Sequence, residues 1–289
     1  MKKKIDTKKA DAGDHRDSQL QLVKREFSRA NDYSSEYNQG DTPTAHFFNT
    51  RLKRVSELLG DFNSGRLLDV GCGPAIIGNT FRGGPVEYYG IDISEDMIKE
   101  CRNAYGNDPQ FNFSAGRIED LPFPDSYFDV VLCLGAFEYV LDDHVAMSEI
   151  ARVVKPGGIA IITMLNGKSP YRAWQDHAYW KFRNRLSRLA RLIKWAPRQE
   201  SGKTGWQGGK KPKVRLYGET AFRRLLASKG LETEDVVYYD FNLFFSPLDA
   251  RFPRASVSLS RKLESLGRSR LKFLGTGFIL KSRKISNES

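Results

Sequence analysis

The chain has 289 residues, of which 40% are apolar and 12% aromatic, so it is large and apolar enough for one folded domain and is not a disordered protein. Its net charge of +11 is concentrated in residues 166–215, where fourteen Lys or Arg face only two acidic residues. No apolar run approaches the roughly 18 residues that a membrane-spanning helix needs. Residues 1–18 mix lysines and aspartates without an apolar region, so we expect a solvated, disordered tail and not a secretory signal.

After this tail, residues 19–60 are predicted to form an N-terminal helical lid, and residues 61–289 a main domain with residues 166–215 as an insertion. Short β-rich runs alternate with helical stretches in the main domain, which is typical of an open, mostly parallel sheet. The predicted strands are Arg66–Val70, Glu87–Ile91, Gln110–Ala115, Phe128–Leu134, Ile159–Met164, Leu231–Tyr239 and Phe273–Lys281. The predicted helices are Phe48–Leu59, Ile76–Phe81, Ser94–Ala104, Val145–Val153 and Ala221–Lys229, and a turn is predicted at Lys155-Pro156-Gly157-Gly158.

Two glycines follow the first predicted strand, in the turn Asp69-Val70-Gly71-Cys72-Gly73. Glycine lets the backbone approach a ligand closely, and the helix that follows offers unpaired N–H groups, although such a turn can also serve packing alone. The second predicted strand ends at Asp92, about twenty residues after Gly73. A carboxylate at this place can accept hydrogen bonds from both hydroxyls of a ribose, or it can cap the next helix.

These features belong to a set of motifs that follow one another along the chain. The motifs are Asp69-x-Gly71-x-Gly73, Asp92 with Met97, Leu121-Pro122-Phe123 and Phe128-Asp129-Val130-Val131. Together they resemble the class I S-adenosylmethionine-dependent methyltransferases, above all the branch that includes ubiquinone and menaquinone methyltransferases. The resemblance covers roughly residues 27–164 and the final strands. It implies an α/β fold with a doubly wound, Rossmann-like sheet of seven strands whose last strand is antiparallel, and S-adenosyl-L-methionine as the cofactor.

The resemblance also implies which residues contact the three parts of the cofactor. They are Gly71 and Gly73 at the methionyl part, Asp92 at the ribose, Ile93 and Met97 at the adenine, and Leu134 at the end of the fourth strand, and Asp69 is also predicted to bind the cofactor. Arg117 departs from the family pattern, because relatives often have an acidic residue there that accepts a hydrogen bond from the adenine amino group. A guanidinium cannot accept that bond. Adenine recognition is therefore predicted to use the backbone of Ile118 or stacking by Arg117, unless Arg117 is simply exposed.

Methyl transfer from a sulfonium needs no covalent enzyme intermediate, because the methyl group is already electrophilic. The enzyme must align the acceptor for direct SN2 displacement, and a base can remove the acceptor's proton. No motif identifies that base, and no metal ion is predicted. The candidates are Glu138, Tyr139, Tyr33 and His144, with Tyr37, His46 and His177 as weaker ones.

Within the basic insertion, an apolar stripe at helical spacing runs along residues 171–195. The same segment carries seven Lys or Arg and the tryptophans Trp174, Trp180 and Trp195. Such a helix can pack its stripe on the sheet as a lid, or it can lie in the interface of an anionic membrane. Nucleic-acid contact is the least favoured of the three interpretations.

The three cysteines, Cys72, Cys101 and Cys133, form no CxxC pair, which indicates reduced thiols in a cytoplasmic protein. If the basic helix contacts lipid, we expect the enzyme at the inner face of a membrane. The sequence thus predicts S-adenosylmethionine-dependent methylation of a small-molecule, lipid or saccharide acceptor.

Three other functions are alternatives to this prediction. A nicotinamide-dependent oxidoreductase is disfavoured because its third glycine would fall at Ile76. An RNA methyltransferase that uses the basic insertion is an alternative, although Leu134-Gly135-Ala136-Phe137 is not the Asp/Asn-Pro-Pro-aromatic motif of base-amine methylation. A non-catalytic cofactor-binding module is the third.

Overall fold

A computed structural model describes residues 19–28, 40–174, 211–244 and 251–286. Its centre is a seven-stranded sheet with the order β3-β2-β1-β4-β5-β7-β6. The strands are β1 Gly65–Val70, β2 Val86–Asp92, β3 Phe111–Ala115, β4 Phe128–Cys133, β5 Val154–Leu165, β6 Leu231–Tyr239 and β7 Gly277–Lys284. Neighbouring strands are parallel except that β7 runs antiparallel to both β5 and β6. The predicted doubly wound sheet with a reversed last strand is therefore confirmed.

Six helices of eight or more residues lie within the described ranges. They are α1 (residues 19–26), α2 Pro43–Leu59, α3 Glu95–Tyr105, α4 Asp143–Val153, α5 Glu219–Ala227 and α6 Pro253–Leu263. Successive strand residues point to opposite faces of the sheet. Accordingly Leu67 packs in the apolar cluster that includes α2 and α3, and Leu68 packs in the cluster that includes α4 and α5.

Besides small shifts at the ends of other elements, three segments have a different structure from the one predicted. Ile76–Phe81 forms a 3-10 helix instead of an α-helix, after Ala75 in the left-handed region. β5 begins at Val154, so the predicted turn at residues 155–158 lies inside this strand as a bulge between the pairs Phe128–Val154 and Val130–Ile159. β7 begins at Gly277 because the residues before it form a short 3-10 turn.

The functional edge of the sheet follows from this topology. Parallel strands bring their carboxyl ends to one edge, where ligands of open α/β sheets bind. Because β7 is antiparallel, its first residue Gly277 pairs with Leu165, the last residue of β5. The segment that leads into β7 therefore lies at the same edge as Gly71 and Asp92.

Some predictions fall on residues that the structure does not describe. These are the tail 1–18, Tyr33, Tyr37, His177 and all but the first residues of the basic helix predicted over 171–195. The described start of the insertion is a one-turn helix, Pro170–Ala173, followed by Trp174. Among the described helices, none has the length and apolar character to cross a membrane.

Candidate functional site

A cavity with an empty volume of about 1030 Å³ opens at the carboxyl edge of the sheet. Its walls come from the ends of β1, β2 and β4 and from α1 and α2. Every residue predicted to contact the cofactor lines it: Asp69, Gly71, Gly73, Asp92, Ile93, Met97, Arg117, Ile118 and Leu134. The structure thus brings together residues that are up to 65 positions apart, from Asp69 to Leu134.

The glycine-rich turn serves both the cavity and the packing of the protein. Gly71 and Gly73 have φ angles of +70° and +51°, a region that favours glycine. A Cβ at Gly71 would overlap the Cβ of Ala136, in the turn that follows β4. A side chain at Gly71 would therefore displace the protein's own backbone before it reached any ligand. The packing role considered in the sequence analysis is present together with the cavity-lining role.

Asp92 ties the glycine-rich turn to the start of α3. Its Oδ2 accepts a hydrogen bond from the Gly73 backbone N–H (2.9 Å), and its Oδ1 accepts one from that of Ser94 (2.8 Å). Burial raises the pKa of this carboxyl, and these backbone hydrogen bonds oppose that rise. Each carboxylate oxygen has two lone pairs, so one bond to the backbone leaves capacity for a ribose hydroxyl.

Asp69 presents an unsatisfied carboxylate oxygen at the cavity. Its Oδ2 accepts a hydrogen bond from the Tyr88 hydroxyl (2.6 Å), whereas its buried Oδ1 has no hydrogen-bond partner among the described residues. Burial raises the pKa of Asp69 to about 6, against the hydrogen bond from Tyr88 and the charge of Arg51, which lower it. A buried acceptor without a partner is costly. A ligand with a cationic amino group, such as that of an α-amino acid, could donate a hydrogen bond to this Oδ1.

Arg51 of α2 is a cavity residue that the sequence analysis missed. It is buried, with its guanidinium 5.0 Å from the ring centre of Phe48. One of its nitrogens occupies the space that a side chain at Gly135 would fill, and the φ of Gly135 is +82°. A buried guanidinium can bind a carboxylate with two hydrogen bonds. Its position in the sequence could have indicated this role, because Arg51 lies on the apolar stripe of α2, where a buried charge needs a specific partner.

The part of the cavity predicted to hold the adenine has an acidic residue two positions after Arg117. Glu119 lines the cavity, and its Oε1 accepts a hydrogen bond from the Leu141 backbone N–H (2.7 Å). Its other oxygen lies 3.5 Å from Nε of Arg117, whose side chain is 41% exposed. Arg117 is therefore neither fully exposed nor free to turn. The ion pair with Glu119 constrains its guanidinium at the cavity wall.

The candidate bases have very different surroundings. Tyr139 lines the cavity, edge-on to Phe27, which directly follows α1. Glu138 is buried beside it, and its Oε2 has no hydrogen-bond partner among the described residues. Burial raises the pKa of Glu138 to about 7, although the charges of Arg51 and Arg172 lower it. His144 is exposed at the start of α4, and His46 forms a hydrogen bond with Ser260 (2.9 Å) outside the cavity lining.

Arg215, at the end of the insertion, clamps the loop that follows β4. Its Nε donates to the Val140 carbonyl (3.0 Å) and its Nη2 to that of Leu141 (2.6 Å), and both of these residues line the cavity. Its Nη1 pairs with Asp143 (3.1 Å), and its backbone N–H donates to the Glu138 carbonyl (2.8 Å). The end of the insertion is thereby bound to the loop that carries two candidate bases.

Arg215→Gln is expected to reduce turnover roughly 10- to 100-fold, because the loop that faces the acceptor loses its alignment. Cofactor affinity, measured by calorimetry, should change little, since Arg215 forms none of these bonds with the residues that are predicted to contact the cofactor. Arg223→Gln is the matched control, because it breaks an ion pair with Glu219 on α5. Equal losses of turnover in both variants would contradict a positioning role for Arg215.

Part of the chain is similar in sequence to known methyltransferases. A sequence model of the family described as "Methyltransferase domain" matches residues 68–162. The chain is 32% identical to a fatty-acid O-methyltransferase of Mycolicibacterium smegmatis, over 44% of this chain and 47% of that protein. It is 34% identical to a ubiquinone biosynthesis O-methyltransferase of Alkalilimnicola ehrlichii, over 44% and 53%. The chain therefore spans about half the length of these curated relatives.

A solved structure supports the fold. An S-adenosylmethionine-dependent methyltransferase of Thermotoga maritima superposes with a TM-score of 0.54 at 17% identity, over 92% of this chain and 99% of that one. Within the described ranges, no group of three His, Cys, Asp or Glu side chains could hold a metal ion. Most of the residues that line the cavity lie within the matched segment 68–162.

Proposed function

We propose that this chain, which carries a class I S-adenosylmethionine-dependent methyltransferase domain, methylates an oxygen atom of a small apolar or lipid-type acceptor. The observation that supports this is the division of the cavity into two kinds of wall. Polar groups of Asp69, Asp92 and Arg51 lie at one part, and apolar side chains of α1 close another. Those side chains are Leu20 and Val23, with Phe27 directly after the helix, and they face a cavity that Val140 and Leu141 also line.

The polar wall fits S-adenosylmethionine group by group. The bare Oδ1 of Asp69 suits the amino group of the methionyl part, and the guanidinium of Arg51 suits its carboxylate. The carboxylate of Asp92 suits the ribose hydroxyls. The cofactor supplies an electrophilic methyl group when it is bound. The protein residues bind and orient it, and the closed apolar wall excludes water from the reacting atoms.

Glu138 is the residue we propose as the general base for a hydroxyl acceptor. Its pKa of about 7 lets it ionise near neutral pH, and its Oε2 is available to accept a proton. Tyr139, in the cavity wall beside it, would orient the acceptor. His144 is less suited, because it is exposed to solvent at the start of α4, whereas Glu138 is buried directly before Tyr139 of the cavity wall.

The relatives support an oxygen atom and an apolar acceptor in coarse terms. The two proteins compared above are named for O-methylation, one of fatty acids and one in ubiquinone biosynthesis. A saccharide acceptor is less favoured, because α1 contributes only apolar side chains to the cavity. Membrane contact through residues 171–195 stays a prediction, since most of that segment lies outside the described residues.

Methyl transfer can be tested with radiolabelled S-adenosylmethionine and three acceptors: a fatty acid, a phenolic quinol and total RNA. We expect label in the organic extract with the fatty acid or the quinol. Label in RNA alone would favour the nucleic-acid alternative. Calorimetric binding of S-adenosylmethionine without transfer to any extract would favour a non-catalytic module, and binding of NADH in its place would favour an oxidoreductase.

Arg51→Gln is expected to weaken S-adenosylmethionine binding about 10- to 100-fold, because a charged hydrogen bond to the carboxylate is worth roughly 1.5–3 kcal/mol. Binding of methylthioadenosine should be unchanged, because that ligand has no carboxylate. Arg54→Gln on the same helix is the matched control, since Arg54 pairs with Glu57 and does not line the cavity. A loss of affinity for both ligands would mean that Arg51 acts only by packing.

A further inference from the structure

Five large apolar side chains are exposed in segments near the mouth of the cavity. They are Trp174, Val214, Leu216, Leu271 and Phe273, with exposed fractions between 37% and 48%. We call these five residues the apolar rim. Soluble proteins seldom expose apolar residues in groups unless the group contacts a partner or a membrane.

The topology brings the rim to one edge of the sheet. Trp174 follows the carboxyl end of β5, and Phe273 precedes the amino end of β7, which pairs with that same end of β5. Asn166 connects the segments directly. Its Nδ2 donates to the Phe273 carbonyl (3.0 Å), while the next backbone N–H, of Gly167, donates to the Tyr217 carbonyl (2.9 Å). The segments around residues 166, 216 and 273 are therefore neighbours.

The rim also adjoins the apolar wall of the cavity. Lys213, one residue before Val214, exchanges two hydrogen bonds with the Gln19 side chain, at 2.9 and 3.0 Å. Gln19 is the first described residue of α1, whose Leu20 lines the cavity. The segment that carries Val214 is therefore fastened to the helix that forms the apolar wall of the cavity.

Three cations lie in the same segments as the rim. Lys168, Lys213 and Arg270 are exposed, and none of them forms an ion pair with another described residue. The nearby acids are already engaged, because Asp143 pairs with Arg215 and Glu219 pairs with Lys272. This edge of the sheet thus presents exposed apolar side chains together with cations that form no ion pair with a described acidic residue.

We propose that the apolar rim docks on an anionic lipid bilayer, with its side chains in the interface and the three cations beside headgroup phosphates. Charge complementarity supports this partner, because an anionic leaflet attracts Lys and Arg near its surface while apolar groups insert. Three rim residues are aliphatic and cannot stack on bases, which disfavours a single-stranded nucleic acid. Docking would place the apolar wall of α1 next to the bilayer. The docking proposal rests on the proposed function, because the bilayer would supply the apolar acceptor.

Liposome flotation of the full chain tests the surface. Vesicles of phosphatidylcholine alone are compared with vesicles of equal parts phosphatidylcholine and phosphatidylglycerol, at low and high salt. We expect flotation with the anionic vesicles at low salt and a weaker response at high salt, because screening removes the electrostatic part. The double variant Leu271→Ser with Phe273→Ser should float at least about tenfold less, and Arg270→Glu should float less at low salt only.

Matched controls lie at the opposite edge of the sheet. Ile285 is 52% exposed and follows the carboxyl end of β7, and Lys229 precedes β6 at that edge. Ile285→Ser and Lys229→Glu should float as the wild type does. Calorimetry with S-adenosylmethionine should give the same affinity for every variant, which separates docking from the proposed function and verifies folding.

Two results would overturn the proposal. If the wild type stays with the soluble fraction under every condition, this edge of the sheet does not dock on lipid. If the wild type floats but the rim variants and the controls float equally well, binding resides elsewhere in the chain.

Discussion

Replacing Glu138 by Gln is expected to lower turnover of a hydroxyl acceptor roughly 10²- to 10⁴-fold, which is the usual contribution of a general base. Cofactor affinity should stay nearly constant, because Glu138 does not line the cavity beside the cofactor residues. Initial rates and calorimetry measure the two quantities separately. An unchanged turnover would exclude Glu138 as the base and leave Tyr139 as the described candidate in the cavity wall.

The pH dependence gives a second readout for Glu138. Burial raises its pKa to about 7, so wild-type turnover should rise as the pH passes through that value. Its ordinary value is 4.5, and the raised pKa means that the folded state binds the proton more tightly than the unfolded state. The stability from this protonated group is present at low pH and is lost as the pH rises through about 7. At about pH 8 the free energy of unfolding of Glu138→Gln should therefore exceed that of the wild type by on the order of 3 kcal/mol. At about pH 4 the two proteins should be almost equally stable.

Asp240 offers a matched control for this experiment. It is also buried, and burial raises its pKa to about 6. It has a φ of +59°, a conformation that Asn tolerates, and it does not line the cavity. The carboxylate of Asp240 accepts hydrogen bonds from Thr276 and Asn242, so Asp240→Asn should lose stability, but it should keep the wild-type turnover. If both variants lost turnover equally, the effect would be structural.

Asp92→Ala is expected to weaken S-adenosylmethionine binding by a few kcal/mol, or about 100-fold, because the ribose hydroxyls lose a charged acceptor. The structure adds a complication, since Asp92 also holds the backbone N–H groups of Gly73 and Ser94. Part of the loss would therefore come from a loosened turn. Calorimetry on the variant alone cannot divide the two contributions.

A double-mutant cycle with the ligand separates them. S-adenosylhomocysteine is compared with its 2′-deoxy analogue, in the wild type and in Asp92→Ala. Loss of the hydroxyl should weaken binding to the wild type about tenfold and should have almost no further effect in the variant. If loss of the hydroxyl weakened binding to both proteins by the same factor, Asp92 would stabilise the glycine-rich turn and would not bind the ribose.

Short-range features were predictable because neighbouring residues create them. The strands follow runs of apolar residues, and Ser94 caps α3 as its position before two acidic residues indicated, accepting a hydrogen bond from the Met97 backbone N–H (3.3 Å). The turn at Gly71 and the strand end at Asp92 meet in any parallel sheet in which their strands are adjacent. The sequence therefore determined the fold class, the cofactor and the wall of the cavity that these residues form.

Only the tertiary structure decided which distant side chains complete the site. Arg51 belongs to α2, yet it lies where Gly135 leaves space, and no local pattern relates the two positions. Arg215 follows the insertion and fastens the loop after β4 through hydrogen bonds to Val140 and Leu141. Burial likewise decided the pKa of Glu138, because the desolvation that raises it depends on everything packed around the carboxyl group. Such properties arise from long-range packing, which a periodic pattern of residue types does not encode.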